Sequence, residues 1–570
     1  MSRHSTENAA AVALPKLCGA DIELGNFITG VEHAGGTGYE ASRALLAQIK
    51  GLPNRQNGYL GNLWTAAASA PRAGAANSAA VCASTSQWAW NPQDVSRRFL
   101  PGNGACAYID LDHVELCLPE VISAFDHVAA WHAMLRIMRG ALDSANEGRR
   151  PGHCIQVLAN NSDGQGNSYG SHVNFMISRR AFDNIFWRKA HYLQFLASFQ
   201  VSGIVLTGQG KVGAENGRPS TPFQLSQRAD FFETLQGTQT TFNRPIINSR
   251  DEALCGRGGS GDLSAPARLH VIFFDSALSH GSCLFRVGPM QLILTLIELG
   301  LVNARLILDD PLAALQSYSC DPTLQARAEL ISGESLTAVE LQSAYLEDVK
   351  RHAAQGVFEG IVPRANEIIA LWEDTIGKLA AGDLMAVAPR LDWVKKLLAI
   401  ERTLEQRPEL DWDSPEIKVV DHLYSSLGDD GLYWAYENSG FAEQLVSPER
   451  IAHFVQNPPA DTRAWTRAML LRRAEEEGVE TTSVDWDTMT FKLRGRYSWP
   501  SYRAFDLQNP LGSTQAEAQQ IFSSTRSFAE LLDELESLSG GTTLPRKTLT
   551  ANSSNSQGEK RYALPSTIQQ

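Results

Sequence analysis

Residues 102–120 read GNGACAYIDLDHVELCLPE, a run apolar enough for a buried strand that also carries Tyr108, Asp110, Asp112, His113, Glu115 and Glu120. In an extended chain, side chains two apart share a face, so Tyr108, Asp110 and Asp112 are predicted to project together. Glu115 lies an odd step from Asp110, and a turn or bulge near His113 is needed to bring both carboxylates into one site. Like charges held that close are costly unless a cation or several donors lie between them. The cluster therefore asks for a divalent metal. A strand with a solvated acidic face is the alternative, and this run alone leaves both open.

The same pattern recurs elsewhere. Residues 17–25, LCGADIELG, alternate like a strand, with Asp21 and Glu23 on one face and Cys18, Ala20, Ile22 and Leu24 on the other. Carboxylates at i and i+2 suit Mg²⁺, a hard cation that takes oxygen ligands. The polar, glycine-rich loop 160–171 could approach a phosphate through backbone N–H groups, and it delivers His172 onto a following strand. Val201–Leu206 reads as a strand entering the glycine turn TGQGKVG at 207–213, which carries Lys211 but lacks the spacing of a P-loop. Residues 227–230 (QRAD) and 240–251 (TTFNRPIINSRD) concentrate amides and arginines, among them Arg244, Asn248 and Arg250, and guanidinium groups suit phosphate oxygens and carboxylates. The strand beginning at Arg268 places Arg268 and His270 on one face.

A chain of 570 residues with 43% hydrophobic and 20% charged residues implies a globular protein of two domains plus appendages. A net charge of −13, with no long basic stripe, argues against broad nucleic-acid binding. The eight cysteines show no CxxC spacing, which suits buried thiols in a reducing cytoplasm. Ala9–Leu14 is too short for a signal-peptide core, and Pro289–Leu308, interrupted by Glu298, Asn303 and Arg305, reads as a core helix rather than a membrane span. Periodicity predicts helices over 123–146, 285–302, 337–353, 361–380, 389–405 and 461–477, the third opened by the capping box Thr337–Glu340. The expected layout is a disordered N-terminus at 1–16, a catalytic domain at 17–404, a small C-terminal domain at 405–538 and a disordered tail at 539–570. The alanine- and serine-rich segment 65–87 reads as a mobile insertion, either a gate over the site or an inert linker.

Taken together, GADIELG (19–25), NGACAYIDLDHVEL (103–116), NNSDGQGNSYGSHVNF (160–175), TGQGKVG (207–213), SQRADFFE (226–233), TTFNRPIINSRDE (240–252), RLHVI (268–272), LDWVKK (391–396), GLY (431–433), PPADTRAWTR (458–467) and VDWD (484–487) resemble the Pup ligase and depupylase family, within the glutamine-synthetase-like carboxylate–amine ligases. SQRADFFE, the NNSDGQG run and the insertion are similar to the depupylase branch. The resemblance implies an α+β fold: a curved antiparallel sheet cradle packed by helices, with a smaller α-rich C-terminal domain. It implies ATP and Mg²⁺ as cofactors and a partner that is a small protein or peptide with a C-terminal Glu or Gln carboxyl, or an amine-bearing substrate, with neither nucleic acid nor membrane. By the same resemblance Asp110 is the catalytic carboxylate, and Asp21, Glu23, Tyr108, Glu115, His172 and His270 are metal ligands. The resemblance makes Arg250 and Trp486 nucleotide contacts, with core packing the equal alternative for Trp486, and the chemistry of Arg244, Arg268 and Asn248 adds them as expected nucleotide contacts. The chain departs from the family pattern at Asp21 (for glutamate), Cys106 (for arginine), Leu118, Val173 (for glutamate), Ala253–Gly261 and Ala267. Three activities follow as expectations: an ATP/Mg-dependent hydrolase or deamidase at a Glu/Gln-type carboxyl, a carboxylate–amine ligase, or a degenerate nucleotide-binding regulator.

Overall fold

Residues 102–120 fold as a β-hairpin, and the turn required near His113 falls at Leu111 and Asp112, with Leu111 in the left-handed region at φ 50°. Tyr108 lies opposite Glu115, and Asp110 opposite His113. The odd step is thus absorbed by a two-residue turn, and Tyr108, Asp110 and Glu115 share one face. Asp112 does not: it is exposed in the turn, where its carbonyl accepts hydrogen bonds from Ser42 Oγ (2.7 Å) and Asn26 Nδ2 (3.1 Å).

The computed structural model describes residues 12–31, 36–53, 96–252, 262–494, 500–539 and 547–548; the insertion expected at 65–87 lies outside them. Eight strands make the main sheet: β1 (Cys18–Ile28), β2 (Leu52–Pro53), β3 (Arg98–Phe99), β4 (Cys106–Asp110), β5 (His113–Cys117), β6 (Ile155–Leu158), β7 (Ser171–Ser178) and β8 (Pro266–Val271). Their order is β8-β7-β1-β5-β4-β3-β2, antiparallel throughout, with β6 paired to the far end of β1. The alternation read from the sequence sorts the two faces. Ala20, Ile22, Leu24, Val173 and Phe175 enter the core, whereas Asp21, Glu23, His172 and Asn174 stand on the opposite face.

Helices cover the core face. α1 (Gly38–Gln48) and α2 (Ala124–Asn146) pack together, and Ser123 caps α2 by accepting from Phe125 N at 3.2 Å. Val128, Trp131, Leu135 and Met138 of α2 are fully buried, as their helical spacing predicts. Val201–Leu206 is helical, not a strand: it spans the end of α3 (Ala190–Ser202) and α4 (Ile204–Thr207). This segment is buried all round, Ser202 included, so no exposed face gives a period that distinguishes helix from strand. α5 (His280–Glu298) is buried along its length and ends earlier than expected, four residues before 302, just ahead of Gly300 at φ 74°. α6 (Ala338–Ala353) opens on the predicted capping box, with both reciprocal bonds present. α7 (Ala365–Ala380) and α8 (Asp392–Gln406) follow. Among the described residues no helix is long and apolar enough to cross a membrane.

The N-terminal segment is better anchored than expected. Glu298 accepts a hydrogen bond from Leu14 N at 3.2 Å and forms a fully buried ion pair with Lys16. Val12–Ala13 pairs through its backbone with Lys547–Thr548, a short strand inside the segment expected as a disordered tail. Lys211 of the glycine turn is also internal, bonded to Asp230 (2.6 Å) and Glu215 (3.1 Å). Its charge is neutralised there and does not face a ligand.

The boundary between the two cores falls near residue 460 rather than 405. α9 (Pro415–Ser425), α10 (Leu432–Asn438) and α11 (Pro448–Gln456) add Ile417, Tyr424, Trp434 and Phe454 to the first core. The second core gathers α12 (Ala464–Glu476), the antiparallel strands β9 (Glu480–Val484), β10 (Thr488–Arg494) and β11 (Pro500–Asp506), then α13 (Gln515–Ser524) and α14 (Phe528–Ser539). It also takes in Phe99, Cys106 and Cys117 from the main sheet. Glu120 fastens the two units, accepting from Arg463 Nε (2.8 Å) and Arg467 Nη2 (2.6 Å). Arg467 in turn donates to Gly104 O at 3.0 Å, and a side chain at Gly104 would meet Ala464 O at 2.8 Å.

Burial alone would raise the Glu120 pKa, but Arg467 and Arg463 outweigh it and hold the carboxyl at about 2. A carboxylate whose folded-state pKa is depressed contributes stability above its ordinary value of 4.5 and loses it as pH falls toward about 2. Glu120→Gln should therefore cost about 3 kcal/mol or more by leaving two buried guanidinium groups without their anion. It should also flatten the acid limb of the stability profile in that window, as read by urea denaturation across pH.

Candidate active site

A cavity of about 880 Å³ opens between the exposed face of the sheet, the 163–170 loop, the 240–252 segment and Asp485–Trp486 of the C-terminal domain. Every site residue expected from the sequence lines it except Asn248. Asn248 is buried beside it, where Nδ2 donates to Gln239 O (3.2 Å) and Oδ1 accepts from Arg250 N (2.9 Å). It shapes the loop that carries Arg250.

The acidic wall is built by β1 and the β4–β5 hairpin. Glu23, Asp110 and Glu115 each present a carboxylate oxygen within 4.8 Å of the others. Tyr108 donates to Glu115 Oε1 at 2.5 Å. Burial and the neighbouring Cys117 and Glu115 push the Tyr108 pKa up, so the phenol keeps its proton and steadies the carboxylate. Burial, then the charges of Asp21 and Glu23, push Glu115 well above the usual carboxylate range. Crowded oxygens that resist sharing one pocket as anions are a donor set suited to a hard divalent cation.

Two histidines stand beside them with their tautomers set by partners. His172 Nδ1 lies 2.8 Å from Asp21 Oδ1, which also accepts His172 N at 3.2 Å, and Nε2 is turned toward Glu23 Oε1 at 4.0 Å. Burial pushes Asp21 up, but the charge of His172 and its hydrogen bonds outweigh it and hold Asp21 at about 2. In this arrangement Asp21 orients His172. His270 Nδ1 is 2.8 Å from Asn174 Oδ1, an acceptor that also takes Arg268 Nη1 at 3.0 Å. Nδ1 of His270 therefore carries the proton and Nε2 keeps its lone pair. Burial, His172 and Arg268 hold His270 well below its ordinary pKa. The ring centres of the two histidines are 5.0 Å apart. Asn174 was legible only as the residue two beyond His172, on the same strand face.

The opposite wall is cationic. Arg268 Nη2 donates to Glu252 Oε2 at 2.5 Å, and Arg250 Nε lies 3.6 Å from Glu252 Oε1. Arg244 ties two rims together, donating to Thr240 O (2.7 Å) and Ser168 O (2.5 Å). Trp486 packs edge-on against Phe99 at 5.3 Å, with Arg467 4.8 Å from its ring. Of the departures from the family pattern, Val173 points into the core and Cys106 is covered by the second core. Beside Cys106, Arg97 places a guanidinium 5.2 Å over the Tyr108 ring and 3.6 Å from Asp485. No motif in the sequence marked it. A second polar group, His132, His280 and Glu437, lies among buried helices. His280 Nδ1 accepts from Leu445 N (3.1 Å), which leaves the proton on Nε2, and Arg136 is 3.9 Å from Glu437.

A family model described as "Pup-ligase protein" matches residues 16–490. The chain belongs to the Pup-ligase family. It is 35% identical over 436 residues to the Pup deamidase/depupylase of Mycolicibacterium smegmatis, covering 76% of this chain and 82% of that one. It is 34% identical to the depupylase of Acidothermus cellulolyticus, with the same coverage, and 33% identical to the Pup–protein ligase of Acidimicrobium ferrooxidans over 74% of this chain and 88% of that one. Among solved structures, the complex of the ligase PafA with Pup superposes with a TM-score of 0.70 at 23% identity, covering 96% and 99% of the two chains. PafA with ADP superposes at 0.64 and 27% identity, covering 75% and 90%. The expected glutamine-synthetase-like cradle is therefore the fold of this Pup-ligase family member.

Among the glycines that line the cavity, Gly170 leaves the least room for a side chain. A methyl group there would lie 2.3 Å from His172 Nε2 and 2.6 Å from Glu23 Oε1. Gly170→Ala should weaken Mn²⁺ binding by about tenfold or more, as measured by calorimetry, since orientation of ligand side chains commonly carries that much affinity.

Proposed function

We propose that this protein is an ATP- and Mg²⁺-dependent enzyme that cleaves the amide or isopeptide bond at the terminal Glu or Gln carboxyl of a small protein partner. The observation that supports this most directly is the joining, in one cavity, of the Glu23–Asp110–Glu115 carboxylates with Arg250 and Arg268. The relatives' names, Pup deamidase/depupylase and depupylase, supply the substrate class.

On this reading Glu23 and Glu115, with the Nε2 atoms of His172 and His270, hold the divalent ion, and Asp21 and Tyr108 orient these ligands. The bound metal would supply positive charge that offsets phosphate oxygens and polarises a carbonyl oxygen. Arg250 and Arg268 neutralise the phosphates through fixed N–H donors, Arg244 holds the rims, and Trp486 offers an apolar face to the base. In this reading Asp110, at the tip of β4, acts on the acyl carbon as nucleophile or takes a proton from water as base.

The Pup–protein ligase relative at 33% identity favours a second reading, the same site joining a carboxyl to an amine. ADP formation that requires an added amine identifies the ligase. Release of ammonia or a free lysine amine without stoichiometric nucleotide consumption identifies the hydrolase. Nucleotide binding with neither product is the signature of a regulator.

Asp110→Asn should lower turnover by about 10³-fold while leaving the melting temperature unchanged or raised, because it removes one of three crowded charges. Retained turnover would overturn the role of Asp110. Mg-ATP at about a hundredfold excess over Kd should stabilise the wild type by about 2.7 kcal/mol, and Glu115→Ala and His172→Ala should abolish that gain in a thermal-shift assay.

A further inference from the structure

Glu252 stands out because its carboxylate faces both arginines that look onto the acidic wall. Its Oε2 accepts from Arg268 Nη2 at 2.5 Å and its Oε1 lies 3.6 Å from Arg250 Nε. The partners differ in exposure: the Arg268 side chain is 10% exposed and the Glu252 side chain 48% exposed. Arg268 is further fixed by donating to Asn174 Oδ1 at 3.0 Å, the same oxygen that holds His270. The cation is anchored, and the anion reaches it from the solvent side. A guanidinium pair lining a cavity needs a counter-ion, and this chain supplies one of its own.

We infer that Glu252 is an internal competitor for the phosphate chain, holding Arg250 and Arg268 in place while the cavity is empty of nucleotide and swinging out when phosphate oxygens take over those donors. The inference rests on the proposed function, which assigns phosphate to this pair. A single carboxylate carries one negative charge, whereas a triphosphate presents several on a row of oxygens, so displacement runs in favour of the ligand. The expense of displacing Glu252 lowers nucleotide affinity. It also speeds product departure, because the arginines are re-paired as the phosphates leave.

The test uses the full chain and two probes, Mg-ADP and inorganic tripolyphosphate, titrated by calorimetry. Glu252→Gln keeps the shape and removes the charge, and Glu252→Asp withdraws the carboxylate by a methylene. Both should bind either probe about fivefold more tightly than wild type, the range expected for loss of a partly exposed ion-pair competitor. Asp251→Asn, whose carboxylate pairs with Arg179 at 2.7 Å, is the control and should leave affinity unchanged. Equal or weaker binding in a Glu252 variant that melts like wild type would overturn the inference, because Glu252 would then orient the arginines rather than compete for them. Absence of tripolyphosphate binding in every form would overturn it as well. Tripolyphosphate binding in the expected order, without hydrolase or ligase turnover, would uphold the internal competitor and remove the proposed activity.

Discussion

Everything in this molecule accommodates one electrostatic constraint: three carboxylates with oxygens within 4.8 Å of one another on a single cavity wall. With all three ionised, each pair would repel by about 3.5 kcal/mol or more at an effective dielectric constant of about 20. The chain meets part of this with short-range donors, chiefly the Tyr108 phenol on Glu115. The rest is left for a cation. The sheet makes the crowding possible, because β1 and the β4–β5 hairpin are hydrogen-bonded neighbours and Glu23 is paired directly with Glu115.

The opposing wall follows from the same constraint. A cavity with only acids would repel any substrate carrying phosphate or carboxylate, so the arginines on β8 and the 240–252 segment are as necessary as the acids. They are linked to the histidine side through Asn174, whose one oxygen serves both Arg268 and His270. The second domain closes the arrangement: Trp486 and Asp485 reach the cavity because Glu120, just beyond the end of β5, clamps Arg463 and Arg467. The replacement of a family arginine by Cys106 is intelligible in this light, since Cys106 and its cross-strand partner Cys117 extend the second core onto the sheet.

Some expectations failed for physical reasons that are specific. Val201–Leu206 was unreadable because a segment buried on all sides has no polar face to give a period. Asp112 obeyed the spacing rule on paper, yet the chain reverses at Leu111 and takes it off the strand. Asn248 and Lys211 had the right chemistry for a phosphate and are instead consumed by a loop and by a buried ion pair. The domain boundary moved because α9–α11 carry apolar faces that fit the first core as well as any, and composition does not say which core receives them.

The sequence by itself determined which residues alternate: Asp21 with Glu23, Arg268 with His270, and Tyr108 with Asp110 each share a face because a strand has period two, whatever lies around it. It also determined α2 and the start of α6, where periodicity and a capping box are local properties. Which faces meet was decided only in three dimensions. Asp21 is set against His172, Asn174 between Arg268 and His270, and Glu252 across two arginines by pairings between segments up to 151 residues apart. Arg97, unmarked by any motif, reaches the cavity because β3 lies beside β4. Such contacts depend on how strands are ordered in the sheet, and strand order is a property of the whole chain's packing rather than of any window within it.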